Sequence, residues 1–217
     1  MGFPSVLTMA HRLAAERIRP GDAVIDATVG NGVDTAFLAQ AVGPKGAVYG
    51  FDIQQAALDA ARARVAAAAP ETRLELYLAS HHRMAELLPA ELKGRVSAVM
   101  FNLGYLPGAE EAKSIVTRPE TTLAALDASL LFLRPGGVLT VVVYTGHEGG
   151  REEGEAVDEW ARSLPADAGQ AVLYRMIQRP RSPYLIAVER KGNAEQNGRS
   201  RPQEPGRKKP NEEEAER

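Results

Sequence analysis

Two glycines one residue apart lie in the segment 24–35, VIDATVGNGVDT, directly after a run of strand-forming residues. Gly30 and Gly32 would allow a tight turn and the close approach of a ligand. Asp52 ends the next apolar run, at the spacing where a carboxylate reaches a ribose hydroxyl pair in nucleotide-binding folds. The pattern predicts a site for an adenosine-containing cofactor, although a Gly-x-Gly alone fits a packing or turn role as well.

The charges of this loop favour one adenosine cofactor over another. The dinucleotide pattern G-x-G-x-x-G needs a third glycine where this sequence has Thr35, preceded by Asp34. An acid beside a pyrophosphate would be repelled, whereas Asp26, Asn31 and Asp34 suit the sulfonium and ammonium groups of S-adenosylmethionine. We therefore expect S-adenosylmethionine rather than NAD, with a helix-start role at the dipole as the alternative for Asp34.

Polar residues also end the third and fourth predicted strands. Ser80 and His81, in LASHHRM, would lie over an adenine or ribose, although Ser80 could instead cap a helix. Because the chain has no cysteine and no His/Glu cluster nearby, we expect no metal at His81 and His82. Asn102 ends the fourth strand in FNLGYLPG, where the sheet delivers side chains to a reacting centre.

Candidates for substrate contact lie further along the chain. Thr117 and Arg118 head a predicted helix whose dipole favours phosphate. Within YTGHEGG, Tyr144 ends a strand, and His147 could relay a proton or touch RNA phosphate, although a lone loop histidine is more often structural. The best basic patch for a nucleic-acid backbone, unless it is simply a solvated edge, consists of Arg175, Arg179 and Arg181.

These residues need a sheet to bring them together, and the sequence predicts one. Helical and strand-like segments alternate, which indicates a doubly wound α/β sheet, with the last two strands antiparallel at one edge. Helices are predicted over 4–18, 33–42, 54–69, 82–92, 121–133 and 151–164, and strands over 22–28, 47–53, 73–79, 95–103, 138–146, 171–177 and 184–190. The first helix has an apolar face that could pack on the sheet or on a second subunit, so a homodimer is one expectation.

The composition is that of an ordinary globular protein. The chain has 217 residues, 44% of them hydrophobic, and a net charge of −2, which suits one domain and neither indicates nor excludes nucleic-acid binding. The lack of cysteine fits a reducing cytosol, so we expect a cytoplasmic protein. With no signal-peptide pattern and no run of about 18 apolar residues, we expect no membrane association.

Residues 191–217 mix charges with Gly, Pro, Asn and Gln, and we expect a disordered tail after a domain over 1–190.

Asn102, a turn and then Tyr105 resemble the Asn-Pro-Pro-Tyr signature of amino-methyltransferases, with Leu103 and Gly104 in place of the two prolines. In those enzymes the Asn side chain and a loop carbonyl hold the acceptor nitrogen, while the aromatic ring stacks on the base. The resemblance implies that Asn102 and the Leu103 carbonyl aim an amine and that Tyr105 stacks on the substrate base, unless Tyr105 only packs the loop.

A wider resemblance covers roughly residues 5–190. The stretches DATVGNGVDTAFLA, FDIQ, SHH, MFNLGYLPG, RPETTLAAL, LRPGGVLTVVVYTGHEGG and SPYLIAVER are together similar to the class I methyltransferase family labelled putative rRNA methylase. Its characterised members are bacterial tRNA 5-aminomethyl-2-thiouridine methyltransferases. The resemblance implies a seven-stranded sheet, S-adenosylmethionine as cofactor and methylation of a wobble uridine amine in the anticodon region of tRNA.

The expected site residues form three groups. Cofactor contacts implied by motif match, with Asp26 added from the charge pattern, are Asp26, Gly30, Asn31, Asp34, Asp52, Gln54, Ser80 and His81. Expected catalytic residues are Asn102, Tyr105 and His147. Expected substrate contacts are Leu103, Gly104, Thr117, Arg118, Tyr144 and Arg175.

Other functions stay open from the sequence alone. A methyltransferase of this kind could act on rRNA, a protein amine or a small molecule. A nicotinamide-dependent oxidoreductase would need the third glycine and a separate catalytic domain. A non-catalytic binding module would retain the fold without turnover, and the Asn102 loop argues against it.

Overall fold

The computed structural model describes residues 2–104, 117–146, 148–179 and 181–192. The strands in chain order are β1 (Ala23–Asp26), β2 (Ala47–Asp52), β3 (Arg73–Leu78), β4 (Val96–Asn102), β5 (Leu133–Val143), β6 (Gly169–Tyr174) and β7 (Tyr184–Arg190). The helices are α1 (Val6–Ala15), α2 (Val33–Val42), α3 (Gln55–Ala68), α4 (Met84–Leu87), α5 (Pro119–Phe132) and α6 (Gly150–Ser163), with 3-10 turns at His81–Arg83 and Ala90–Leu92. Tyr105, His147 and the tail from residue 193 onward lie outside the described residues.

The strands form one seven-stranded sheet in the order β3-β2-β1-β4-β5-β7-β6. The first five strands are parallel, and β7 runs antiparallel to both β5 and β6. The predicted doubly wound sheet with an antiparallel C-terminal hairpin is confirmed. Strand β4 is buried over six of its seven residues because helices cover both faces, as parallel sheets require.

Two apolar layers flank the sheet. On one face, Phe101 and Leu139 pack with Phe132 of α5. On the other face, Ala10 and Ala14 of α1 are fully buried with sheet residues. The apolar face of the first helix therefore packs on the sheet, and it gives no support to a second subunit at that face.

Two predicted elements differ from the observed ones by more than a shift of up to three residues at an end. Strand β5 begins at Leu133 rather than Val138, because residues 134–137 bulge out between the pairs Val96↔Leu133 and Ala98↔Val138. The helix predicted over 82–92 is instead α4 between two 3-10 turns, and Leu88 is extended ahead of Pro89, as a residue before proline tends to be.

No helix in the described part of the chain is long and apolar enough to cross a membrane.

Candidate active site

A cavity of about 870 Å³ opens at the carboxyl ends of the central strands. This is the edge where parallel α/β sheets bind ligands, and the volume is in the usual range for small-molecule sites. The predicted site residues that line it are Gly30, Asn31, Asp34, Asp52, Gln54, Ser80, His81, Asn102, Leu103, Gly104, Thr117, Arg118 and Tyr144. Residues predicted from separate motifs therefore meet in one cavity.

Asp52 at the end of β2 is held by two backbone groups. Its Oδ2 accepts a hydrogen bond of 2.9 Å from the Gly30 N–H, and its Oδ1 accepts one of 2.9 Å from the Gln54 N–H. A carboxylate has about four lone-pair positions, so acceptors remain on both oxygens. The carboxylate is thus oriented by the glycine loop and can still receive the two hydroxyls of a ribose.

The two loop glycines have different roles. Gly30 lines the cavity and has a φ of +50°. Gly32 has a φ of +73° and does not line the cavity; a Cβ there would lie 2.5 Å from the Cα of Ala61 in α3. Gly32 is therefore needed for packing against α3, whereas Gly30 is the glycine placed for the close approach of a ligand.

Asp26 lies beneath the loop and is 1% exposed. It accepts hydrogen bonds from the Thr28 N–H at 3.1 Å and from the Thr35 hydroxyl at 2.6 Å. Burial, followed by repulsion from Asp34, raises the pKa of Asp26 to about 7. Because Asp26 is not part of the cavity wall, the expectation of direct cofactor contact is corrected to support of the loop from below.

Asp34 lines the cavity and pairs with a residue that the sequence analysis missed. His11 of α1 places its Nε2 2.6 Å from Asp34 Oδ1 and stacks its ring on Phe37, with 4.0 Å between ring centroids. His11 and Leu7 also line the cavity, so α1 forms part of its wall. No spacing rule links residue 11 to residue 34, and the only sequence sign was a histidine bordering the apolar face of the helix.

His81 is buried at the cavity wall beside the edge of Phe101, with 5.6 Å between ring centroids. Burial lowers the pKa of His81 to about 4, so the ring is neutral near pH 7. Its Nε2 has no hydrogen-bond partner within the described residues. The hydroxyl oxygen of neighbouring Ser80 lies 2.9 Å from the Nδ1 of His82. The neutral, buried ring of His81 therefore forms an uncharged part of the cavity wall.

The turn after β4 forms the opposite wall. The Asn102 N–H donates to the Thr28 hydroxyl at 2.7 Å, and the Leu103 N–H donates to the Val142 carbonyl at 2.9 Å. The main chain is fixed by its two neighbours in the sheet, while the Asn102 side chain remains at the cavity wall. An amide oxygen held in this way can accept a hydrogen bond from an amine.

The chain leaves the turn at Gly104 and re-enters the described structure at Thr117. The Gly104 N–H donates to the Thr117 hydroxyl at 3.1 Å, and the Thr117 N–H donates to the Gly104 carbonyl at 3.2 Å. The Thr117 hydroxyl in turn donates to Glu153 Oε2 at 2.6 Å. Both donors of Thr117 are used within the protein, and its contact with a substrate stays a prediction. Glu153, on α6, was not found from the sequence because no motif includes it.

Two arginines lie at the cavity, and a third lies away from it. Arg118 and Arg181 line the wall and are exposed. Arg175 is not in the wall, and its guanidinium carbon lies 5.2 Å from the centroid of the Tyr184 ring. Of these three arginines, Arg118 and Arg181 are the two that line the cavity.

Comparison with known proteins agrees with this architecture. The family model described as "Putative rRNA methylase" matches residues 48–189. A chloroplastic tRNA (mnm(5)s(2)U34)-methyltransferase of Arabidopsis thaliana is 39% identical over 200 residues, which cover 88% of this chain and 72% of the relative.

Solved structures are similar over nearly the same range. The crystal structure of a "putative rRNA-methylase" from Clostridium thermocellum has a TM-score of 0.81 at 36% identity, covering 88% of this chain and 100% of that one. A "putative methyltransferase" from Streptococcus mutans, in complex with SAH, has a TM-score of 0.75 at 30% identity, covering 87% and 99%.

Proposed function

This chain belongs to the family described as "Putative rRNA methylase", and we propose that it transfers a methyl group from S-adenosylmethionine to an amine of tRNA. The step that we propose converts the 5-aminomethyl group of the wobble 2-thiouridine, in the anticodon region, to 5-methylaminomethyl. The observation that carries the proposal is the single cavity shared by Asp52 at the end of β2 and the Asn102–Gly104 turn. The name of the Arabidopsis thaliana relative supports tRNA as the substrate class.

The residues of one half of the cavity fit S-adenosylmethionine. Asp52 keeps free acceptors for a ribose, and Gly30 leaves room beside it. Asp34 is an acid at the wall, where a negative group such as a pyrophosphate would be repelled. When bound, S-adenosylmethionine supplies an activated methyl group on a sulfonium, and the acidic loop favours a cation at this position.

The other half of the cavity suits an amine acceptor. The amide oxygen of Asn102 and the Leu103 carbonyl would each accept an N–H bond from the substrate and so aim the nitrogen lone pair. A primary alkylammonium titrates near ~10 in water, so the site must favour the neutral amine, and desolvation with a nearby cation does so. Positioning of this kind contributes much of the rate enhancement in bimolecular reactions. The nitrogen would gain a bond to the methyl carbon while the methyl–sulfur bond breaks and its electron pair stays on the leaving thioether sulfur, and the nitrogen would then release one proton to solvent.

RNA is the macromolecular substrate that the cavity mouth favours. Arg118 and Arg181 are exposed at the wall, where guanidinium groups bind phosphate. An rRNA, protein-amine or small-molecule substrate is the alternative for the same chemistry.

A nicotinamide cofactor is not supported, because Thr35 is buried with its hydroxyl bonded to Asp26 where the third glycine would stand. Homodimer formation stays a prediction. A cytoplasmic location also stays a prediction, because the Arabidopsis thaliana relative is chloroplastic.

The proposal is tested by mass spectrometry of tRNA nucleosides. Bulk tRNA carrying 5-aminomethyl-2-thiouridine is incubated with the purified protein and S-adenosylmethionine, and the nucleosides are quantified. Conversion to the methylaminomethyl form is the expected result. If cofactor binding is confirmed separately but no nucleoside changes, the tRNA substrate is excluded, and rRNA, protein and small-molecule amines become the substrates to test.

A further inference from the structure

Glu153 is a buried carboxylate outside the cavity wall. It is 1% exposed, and it receives two short hydrogen bonds from threonines near the start of α5. Its Oε1 accepts from the Thr122 hydroxyl at 2.6 Å, and its Oε2 accepts from the Thr117 hydroxyl at 2.6 Å. Burial of a carboxylate is costly unless hydrogen bonds compensate for the lost water, so this cluster is a strongly specified feature of the fold.

One of the two threonines connects Glu153 to the turn that holds Asn102. A threonine hydroxyl has one donor and two acceptor positions, and Thr117 uses its donor on Glu153 and an acceptor on the Gly104 N–H. Gly104 has a φ of +128°, a conformation that residues other than glycine rarely adopt. The hydrogen-bond chain therefore fixes an unusual backbone conformation two residues after Asn102.

The helix that carries Glu153 is itself held against the sheet. The Tyr184 hydroxyl of β7 lies 2.9 Å from Asp158 Oδ1 and 3.2 Å from the Gly154 carbonyl oxygen, so its one proton is shared between two acceptors on α6. A Cβ at Gly154 would lie 3.0 Å from the Tyr184 hydroxyl oxygen, so the helix approaches the strand closely at this point. Glu153 thus projects from a part of α6 that has little freedom to move.

We propose that Glu153 is a positioning residue for methyl transfer. Through Thr117 it holds the Gly104 backbone, and thereby the Leu103 carbonyl and the Asn102 side chain, in the orientation that receives the acceptor amine. This inference rests on the proposed function. It assigns Glu153 a role in turnover, which a residue that only linked α6 to α5 would not have.

Four single variants distinguish a role of Glu153 in positioning the acceptor turn from a purely structural link between α6 and α5. Thr117→Val and Thr122→Val each remove one hydrogen bond to Glu153, but only Thr117 also receives the Gly104 N–H. We expect both to lower the melting temperature, and Thr117→Val to lower it somewhat more because the Gly104 N–H also loses its acceptor. Glu153→Gln and Thr117→Val should lower kcat about tenfold or more, and Thr122→Val no more than about threefold. Glu152→Gln, at the exposed neighbouring position, should change neither quantity.

Thr117 also lines the cavity, so its variant alone could report a lost substrate contact. The double variant Glu153→Gln/Thr117→Val removes this ambiguity. Because residues that act through one another have non-additive effects, its kcat should be no lower than that of Thr117→Val. Thr117→Ser keeps the hydroxyl and should restore most of kcat. Equal kcat losses in Thr117→Val and Thr122→Val, or multiplicative losses in the double variant, would overturn the proposal.

Amide hydrogen exchange gives a readout that does not need turnover. Glu153→Gln should speed exchange at the Gly104 amide relative to wild type, whereas Glu152→Gln should leave it unchanged. If the wild-type protein methylates no tRNA, the proposed function has failed, and exchange at Gly104 alone decides this inference. Unchanged exchange at the Gly104 amide in a folded Glu153→Gln protein would contradict the inference that Glu153 holds this backbone. If that protein does not fold, the same comparison is made between Thr117→Val and Thr122→Val.

Discussion

The two halves of the cavity are built in different ways. The cofactor half combines bonds between residues close in sequence, such as Asp52 with Gln54, with bonds over 22 and 23 residues, from Gly30 to Asp52 and from His11 to Asp34. The acceptor half depends on more distant partners, since the Asn102 N–H reaches the hydroxyl of Thr28, 74 residues away. A local motif can therefore specify a cofactor loop, whereas an acceptor turn takes its shape from the assembled fold.

The two halves should also fail differently. Damage to the cofactor half should weaken cofactor binding and leave the remaining chemistry intact. Damage to the acceptor half should lower turnover while cofactor affinity stays constant. Four measurements test this division.

The largest effect is expected at Asn102. Asn102→Ala removes the amide oxygen that aims the amine, and we expect turnover to fall about 100- to 1000-fold, because effects of this size follow the loss of a well-placed group. The dissociation constant of S-adenosylmethionine should change less than about twofold. It is measured by calorimetry beside the tRNA assay. A parallel loss of cofactor affinity would show that the two halves are not separable.

Acid should destabilise the cofactor half through His81. The pKa of this ring is about 4 in the folded protein and 6.5 when unperturbed. Between these values the unfolded chain binds a proton that the folded protein does not, so the unfolding free energy falls as the pH falls. His81→Gln should reduce that fall by on the order of 2 kcal/mol between pH 7 and pH 4. Urea unfolding at both pH values measures it.

Asp26 acts in the opposite direction. Its pKa of about 7 lies above its ordinary value of 3.8, so the folded protein retains a proton that the unfolded chain has lost. Its contribution to stability therefore falls as the pH rises from about 4 to 7. A steeper acid loss in His81→Gln than in wild type would contradict the assignment.

Asp52→Ala is the matching test of the cofactor half. It removes the acceptor for a ribose and leaves the Gly30 and Gln54 N–H groups without their partner. We expect cofactor affinity to fall about tenfold or more, with turnover at saturating cofactor little changed. Asp59→Ala removes an exposed aspartate from α3 and is the matched control. Unchanged affinity in Asp52→Ala would refute the cofactor role of the glycine loop.

The smallest effect is expected at the cavity mouth. Arg181→Gln should raise the KM for tRNA about threefold and make binding less dependent on salt, because one phosphate contact is lost. Arg162→Gln, at an exposed arginine outside the cavity wall, should leave both quantities unchanged. The measurement is tRNA affinity at several salt concentrations. An identical salt dependence in the two variants would place the RNA surface elsewhere.

The sequence predicted the fold well because local patterns determine most of its elements. The predicted helix 33–42 and the predicted strand 184–190 match α2 and β7 at both ends. The start of β5 was wrong because the bulge at 134–137 still allows Leu133 to pair with Val96, a contact that no local pattern encodes.

Within the site, the residues at strand ends were predicted, and residues that act through contacts between separate elements were missed. Asp52, Gln54 and Asn102 were placed correctly in one cavity because strand ends in a parallel sheet share an edge. His11 and Glu153 were missed, since their partners lie 23 to 36 residues away on other elements. Direct cofactor contact for Asp26 was predicted from charge alone, and charge does not tell whether a carboxylate points into a cavity or under a loop.

The contact between Gly32 and Ala61 has a consequence for how such chains diverge. The backbone of α3 leaves no room for a side chain at position 32, whether or not a cofactor is present. A descendant that lost its cofactor would still keep that glycine, while position 30, at a φ of +50°, could drift to asparagine. In pattern searches the second glycine therefore reports helix packing, and the residue at position 30 better distinguishes a working enzyme from a degenerate copy.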